Sequence, residues 1–172
     1  MLKTTSLEDA LSANAETWEP CKQWFEVFKK YGEKYGIPPI LVGSIALQES
    51  GCVQVPKGNE GLSFGLMQIT EDKCGGRDWE GCADPEYNVD TGVKYLADEI
   101  KRSSGNVLVA LGQYNGWTAG SMTFESATKA ASSSCCTCQN NLDYLYQTLN
   151  GWLLGKNAYT GDFNVYDNLA VC

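Results

Sequence analysis

The stretch Pro39-Ile40-Leu41-Val42-Gly43-Ser44-Ile45-Ala46-Leu47-Gln48-Glu49-Ser50-Gly51 decides how this chain is read. Gly36-Ile37-Pro38-Pro39 breaks the preceding run, and Pro39 suits a first helical turn, where its missing N–H is not needed. Apolar residues then occupy nearly every side up to Leu47, which predicts a central buried helix rather than an amphipathic surface one. Glu49 stands at its end and Gly51 follows as the terminator. A helix C-terminus carries partial negative charge, so a carboxylate there sits in an unfavourable field, and partial burial raises its pKa further. A carboxyl group that keeps its proton near neutral pH is what general acid catalysis requires.

Outward from this helix the pattern is helical throughout. Upstream, Trp24, Phe28, Tyr31 and Tyr35 recur at helical spacing after Cys21, and Gly36 ends the run. Residues 1–20 are mixed and polar and read as a loosely attached arm or a short first helix. Downstream, residues 51–64 form a loop rich in breakers, Gly65-Leu66-Met67-Gln68-Ile69 follows, and a second irregular stretch runs to Asp84-Pro85. These two loops are expected to build one wall of a cleft, tied down by Cys52, Cys74 and Cys82. Asn88 or Asp90 can cap a helix with Val93, Leu96 and Ile100 on one face, ended by Ser103-Ser104-Gly105. The next, from Asn106, sets Leu108, Leu111 and Tyr114 along one side, with Gly116 as its stop. A weaker helix covers 124–131, and a last one from about Asn140 aligns Leu142, Leu145, Leu149 and Trp152. No strand alternation, internal repeat or linker is visible. The expectation is one mainly α domain over 1–172: an arm at 1–20, the core motifs at 36–120, and a C-terminal helical part and tail at 121–172.

Composition narrows the chemistry. At 172 residues the chain suits one domain that buries roughly 70 % of its unfolded surface. Its net charge of -8, with 13 Lys and Arg and no basic run, disfavours nucleic acid as a partner. It has no histidine, which removes Ser-His-Asp and Cys-His catalysis and His-ligated zinc. Carboxylates remain as the acid–base groups. Anionic cell walls exert no long-range pull on so acidic a protein, so affinity must come from the groove. No apolar stretch approaches the 18 residues of a membrane helix.

Eight cysteines, at 21, 52, 74, 82, 135, 136, 138 and 172, point to an oxidising compartment and up to four disulfides, hence to a secreted, extracellular protein. They allow 105 pairings, among which the sequence does not choose. Cys135-Cys136 and Cys138 look superficially like a zinc knuckle, but the other cysteines do not supply a second well-spaced pair, so no metal is expected. Met1 to Glu19 lacks the apolar core of a signal peptide and reads as a mature start.

Three segments carry a resemblance. Ala46-Leu47-Gln48-Glu49-Ser50, Gly65-Leu66-Met67-Gln68-Ile69 and Gln113-Tyr114-Asn115-Gly116 are similar to the signature segments of soluble lytic transglycosylases and goose-type lysozymes, a branch of the lysozyme-like superfamily. Glu49 precedes Gln68 by 19 residues, and Tyr114 follows it by 46. The resemblance spans about residues 36–120. It implies a lysozyme-like helical domain with a groove for alternating N-acetylmuramic acid and N-acetylglucosamine, with peptidoglycan glycan strands as partner and chitin as an alternative. It makes Glu49 the general acid. Ser50 becomes a helix-end hydrogen-bond partner, since no base could activate it as a nucleophile. Gly65 and Met67 would shape the groove, and Gln68 would bind substrate or position the groove. Tyr114 would hold Glu49 or a sugar acetamido group, with Asn115 beside it. The family form continues Ala-Tyr-Asn-Ala-Gly, whereas this chain has Gln113-Tyr114-Asn115-Gly116-Trp117. Trp117 has two readings, a sugar-stacking ring or a core plug, and packing is the plain alternative for Met67.

The resemblance leaves the reaction open. Glycoside hydrolysis normally uses two carboxylates, whereas lytic transglycosylases work with one Glu that first gives its proton and then takes one from the C6 hydroxyl of muramic acid. Goose-type lysozymes carry further aspartates around Gly-Leu-Met-Gln. Glu60 lies near the first of those positions; Thr70 occupies the second, followed by Glu71 and Asp72. The disulfide-rich composition favours a hydrolysing muramidase in which Glu60 positions water. A lytic transglycosylase, a chitinase and a noncatalytic glycan-binding protein are the alternatives. No cofactor is implied, and a monomer is expected.

Overall fold

The computed structural model describes residues 3–54 and 62–172, and Glu60 therefore lies outside the described residues. The mainly α expectation is borne out. The helices are α1 (Leu7–Ala13), α2 (Ala15–Lys22), α3 (Phe25–Tyr35), α4 (Pro39–Ser50), α5 (Trp79–Ala83), α6 (Pro85–Arg102), α7 (Val107–Tyr114), α8 (Phe124–Thr128) and the single turn α9 (Tyr144–Tyr146). None of them is long and apolar enough to cross a membrane.

Helix α4 is the central element. Every residue from Ile40 to Leu47 is buried, as the apolar run predicts, and α1, α2, α3 and the C-terminal turns pack around it. Close approach depends on Gly43, where an added Cβ would lie 2.8 Å from the Leu7 side chain. At the C-terminal end, Gly51 takes the left-handed conformation (φ 62°), so that its N–H and that of Cys52 reach back to the Leu47 and Ala46 carbonyls at 2.9 and 3.1 Å. The last carbonyls of α4 are thus paired without using the side chain of Glu49.

Several local expectations need correction. Residues 3–20 are no loose arm: Leu7, Ala10 and Trp18 are buried against α4, because the apolar side of two short helices finds a partner there. Helix α6 starts at Pro85 with Asp84 as its cap; Asn88 and Asp90 lie inside it. On α7 the buried residues are Ala110, Leu111 and Gly112, and Leu108 faces solvent. The expected last helix is instead α9, a π-helical turn (Gln147–Gly151) and a 3-10 turn (Trp152–Leu154). Tyr144, Gln147, Thr148 and Trp152 are buried, while Leu142, Leu145 and Leu149 are only half-buried. A two-residue antiparallel ladder, Ser63–Phe64 (β1) with Ile69–Thr70 (β2), was also not foreseen, being too short to show alternation.

Four disulfides take up all eight cysteines: Cys21–Cys52, Cys74–Cys82, Cys135–Cys138 and Cys136–Cys172. Cys21–Cys52 pins the end of α4 to α2, and the Trp24 indole N–H reinforces it by donating to the Cys52 carbonyl at 3.0 Å.

The β1–β2 turn is fixed by buried Asn88. Its Oδ1 accepts the Met67 N–H at 2.8 Å, and its Nδ2 donates to the Phe64 and Cys82 carbonyls at 2.7 and 3.0 Å. The turn also needs Gly65 (φ 71°), whose absent side chain leaves room for the Asn88 amide 2.4 Å from where a Cβ would stand. Asn88→Ala leaves these backbone groups without partners in a dry site, where each unmade bond costs about 1–3 kcal/mol. We expect a loss of 2 kcal/mol or more, on the order of that penalty, read from urea unfolding. A variant within 0.5 kcal/mol of wild type, about the noise of surface substitutions, would refute the anchoring role.

Candidate active site

Where α4 ends, a cleft of about 430 Å³ opens, lined by Gln48, Glu49, Gln68, Thr70, Tyr114, Asn115 and the segment Thr137 to Asn141, with Tyr144 and Leu169 completing it. Glu49 is the one carboxyl group in this lining among the described residues. Burial pushes its pKa from 4.5 up to about 7, and a hydrogen bond from Tyr144 works against that rise. The Tyr144 hydroxyl donates to Glu49 Oε1 at 2.7 Å. This contact pins one carboxyl oxygen of a side chain that lines the cleft. Tyr144 itself is buried, and burial followed by the Glu49 charge holds its own pKa well above the ordinary value, so it remains a donor.

The tyrosine that hydrogen-bonds Glu49 is therefore Tyr144, whereas Tyr114 feels the Glu49 charge without such a bond. Tyr114 lines the cleft, but its hydroxyl donates to the Met67 carbonyl at 2.9 Å and so ties α7 to the β1–β2 turn. Tyr144 carried no signal of its own, because the leucine stripe at 142, 145 and 149 suggests a different buried face. Its position is set by its neighbour. The buried Asp143 carboxylate accepts the backbone N–H groups of Val165, Tyr166 and Asp167 at 2.8–3.1 Å, which fastens the C-terminal segment beside Tyr144.

The other expected residues divide between lining and support. Gln68 lines the cleft, but both ends of its amide are used within the hairpin: Oε1 accepts the Ser63 hydroxyl at 2.6 Å and Nε2 donates to the Gly65 carbonyl at 2.8 Å. Its amide thus braces the hairpin that faces the cleft. Asn115 also lines the cleft; its Nδ2 donates to the Asn141 carbonyl at 2.9 Å, and Asn140 Nδ2 donates to its own carbonyl at 2.6 Å. Asn115 thereby joins the α7 end to the wall at 137–141. Ser50 does not line the cleft. Its hydroxyl lies 2.9 Å from the Ala46 carbonyl and 2.8 Å from the Leu66 carbonyl, bracing α4 against the turn. Gly65 and Met67 are buried and stand behind the lining, so packing is the role of Met67. Trp117 packs on Gly112 and lines a separate hollow with Phe124, Leu142 and Tyr166, away from Glu49. Among the described residues no cluster of three or more acidic or sulfur side chains is arranged to hold a metal.

Chemically, the arrangement is a carboxyl group close to half protonated at neutral pH, held in one orientation beside a polar cleft. It can both give and take a proton. Because the Tyr144 bond favours the ionised form, Tyr144→Phe should move the Glu49 pKa above about 7. Carbon-13 NMR of the Glu49 carboxyl across a pH series reads this directly; an unchanged or lowered midpoint contradicts the assigned hydrogen bond.

A family model described as transglycosylase SLT domain matches residues 26–134. Among solved structures, the chain is similar to the 70-kDa soluble lytic transglycosylase in complex with bulgecin A, with 27 % identity over 54 % of this chain and 16 % of that one at a TM-score of 0.47. It is also similar to the 70-kDa soluble lytic transglycosylase from Escherichia coli, with 20 % identity, 85 % of this chain, 25 % of that one and a TM-score of 0.47. An inactive mutant of the lytic transglycosylase Slt from Pseudomonas aeruginosa matches with 19 % identity, 52 % of this chain, 16 % of that one and a TM-score of 0.48. The chain spans about a sixth to a quarter of the length of these proteins. Tyr144, Trp152 and the tail lie beyond the matched stretch, whereas Glu49, the β1–β2 turn and Tyr114 lie within it. Since residues 26–134 make up well over half of the 172, this chain belongs to the transglycosylase SLT domain family.

Proposed function

We propose that this protein cleaves the β-1,4 bond between N-acetylmuramic acid and N-acetylglucosamine in peptidoglycan as a lytic transglycosylase, with Glu49 serving as acid and then as base. The observation that carries the reading is a cleft carboxyl, the one in the lining among the described residues, whose pKa is pushed up to about 7. In the first half, Glu49 gives its proton to the glycosidic oxygen as the bond from that oxygen to C1 breaks. In the second, the resulting carboxylate takes the proton of the muramic acid C6 hydroxyl, whose oxygen forms the new bond to C1. The product is a 1,6-anhydro end, the proton returns to Glu49, and no water is consumed. A pKa near the working pH serves both halves, because the same group then gives its proton and takes one back without a large bias toward either direction. Family membership supports this route. Hydrolysis, favoured on composition, relies on Glu60 to position water, and Glu60 is outside the described residues. The four disulfides support action in an oxidising, extracellular setting.

Mass spectrometry of digested peptidoglycan tests the proposal: 1,6-anhydro ends should dominate, and mainly reducing ends would overturn it in favour of hydrolysis. Release of soluble chitooligosaccharides without attack on peptidoglycan would move the substrate to chitin. Glu49→Gln should lose at least about a thousandfold in kcat, since it removes both proton transfers.

The pH dependence follows from the same shift. Turnover needs the protonated acid and should fall as pH rises through about 7. Stability runs the same way. A carboxyl whose folded pKa lies above its unfolded value of 4.5 favours the fold most below that value and loses its contribution as pH rises to about 7. The loss is on the order of 3 kcal/mol. Glu49→Gln should therefore be more stable than wild type at pH 8 and near it at pH 4 in paired thermal melts; the opposite order would contradict the burial cost.

A further inference from the structure

Gln48 precedes Glu49 on α4 and lines the same cleft. Its Oε1 accepts the Trp152 indole N–H at 2.6 Å. An indole nitrogen can only donate, so this bond fixes which end of the amide faces Trp152. The Gln48 nitrogen is left on the other side, and among the described residues it donates to none. Trp152 is held in turn. It is fully buried, its ring meets Tyr159 edge-on at 4.7 Å, and the Tyr159 hydroxyl donates to the Leu47 carbonyl. A tryptophan and a tyrosine from the C-terminal part thus lock the amide next to the candidate acid into one orientation.

We propose that Gln48 is a specificity-determining residue whose amide N–H, aimed by Trp152, donates to the acetamido carbonyl of a bound N-acetylated sugar. A sugar hydroxyl can donate or accept and so satisfies either end of an amide. A carbonyl accepts only, so it pairs with the N–H end and not with the amide oxygen, and as a stronger acceptor than a hydroxyl it gains more from an N–H turned toward the cleft. The inference rests on the proposed action on amino-sugar polymers and adds the residue that recognises the amino-sugar substituent.

The test is equilibrium binding in the Glu49→Gln background, where no bond is broken, followed by amide NMR. Two neutral β-1,4 trisaccharides serve as probes: that of N-acetylglucosamine and that of glucose, which carries a hydroxyl in place of each acetamido group. With Gln48 present, the acetylated trisaccharide should bind about tenfold tighter, the value of one good neutral hydrogen bond. With Gln48→Met added, the preference should shrink to about twofold or less. If that variant does not fold, Gln48→Glu gives the same reading, because it keeps an oxygen for Trp152 and lacks the N–H. A preference that survives either substitution overturns the proposal, as does failure of the acetylated trisaccharide to bind better than the glucose one. Turnover of peptidoglycan by wild type is measured alongside. If it is absent while a Gln48-dependent preference persists, the catalytic reading fails and the recognition reading stands.

Discussion

The cost of enclosing a carboxyl group at the end of an apolar helix governs this structure. Burial at the end of α4 raises the Glu49 pKa to about 7. A hydrogen bond from Tyr144 offsets part of that cost and fixes one oxygen. The fold tolerates the remainder because the eight residues from Ile40 to Leu47 are buried on all sides, and the packing they provide outweighs one strained terminus.

Support for this carboxyl converges from distant parts of the chain. Asn88 and Gly65 shape the turn that Ser50 braces and Tyr114 ties down. From the other side, Asp143 fastens the C-terminal segment, Asn168 joins it to Gln139 and Asn140, and Cys136–Cys172 closes it. These buried polar groups are nearly all paired, which lets a largely polar cleft keep one shape. Satisfied networks of this kind give directional constraint that apolar packing alone does not, and a proton-transfer group needs direction as much as a tuned pKa.

The two halves of the cleft come from different parts of the chain. The helix end and the turn fall within the stretch that matches the SLT domain, while Tyr144, Trp152 and the wall at 137–141 lie beyond it. The proposed proton chemistry therefore sits on the matched side, and its orientation depends on a C-terminal part that lies beyond the matched stretch. Gln48 lies at the junction, on the matched helix but oriented by an indole from the other side.

The sequence alone determined α4, its terminator, the mainly α class and Glu49 as the exceptional carboxyl, because these follow from local composition and from short segments that keep their spacing. It also limited the chemistry through the absence of histidine. Tertiary structure decided what depends on contacts between remote residues. The Glu49 partner is Tyr144, 95 residues away, rather than Tyr114. Asn88, which reads as a helix cap, is a buried anchor for a turn. The stripe at 142, 145 and 149 suggests one helical face, but a π-helical turn presents another. Disulfide pairing was equally illegible. In each case a side chain's neighbours are set by how separate segments pack, and helical periodicity carries no information about which segment arrives opposite.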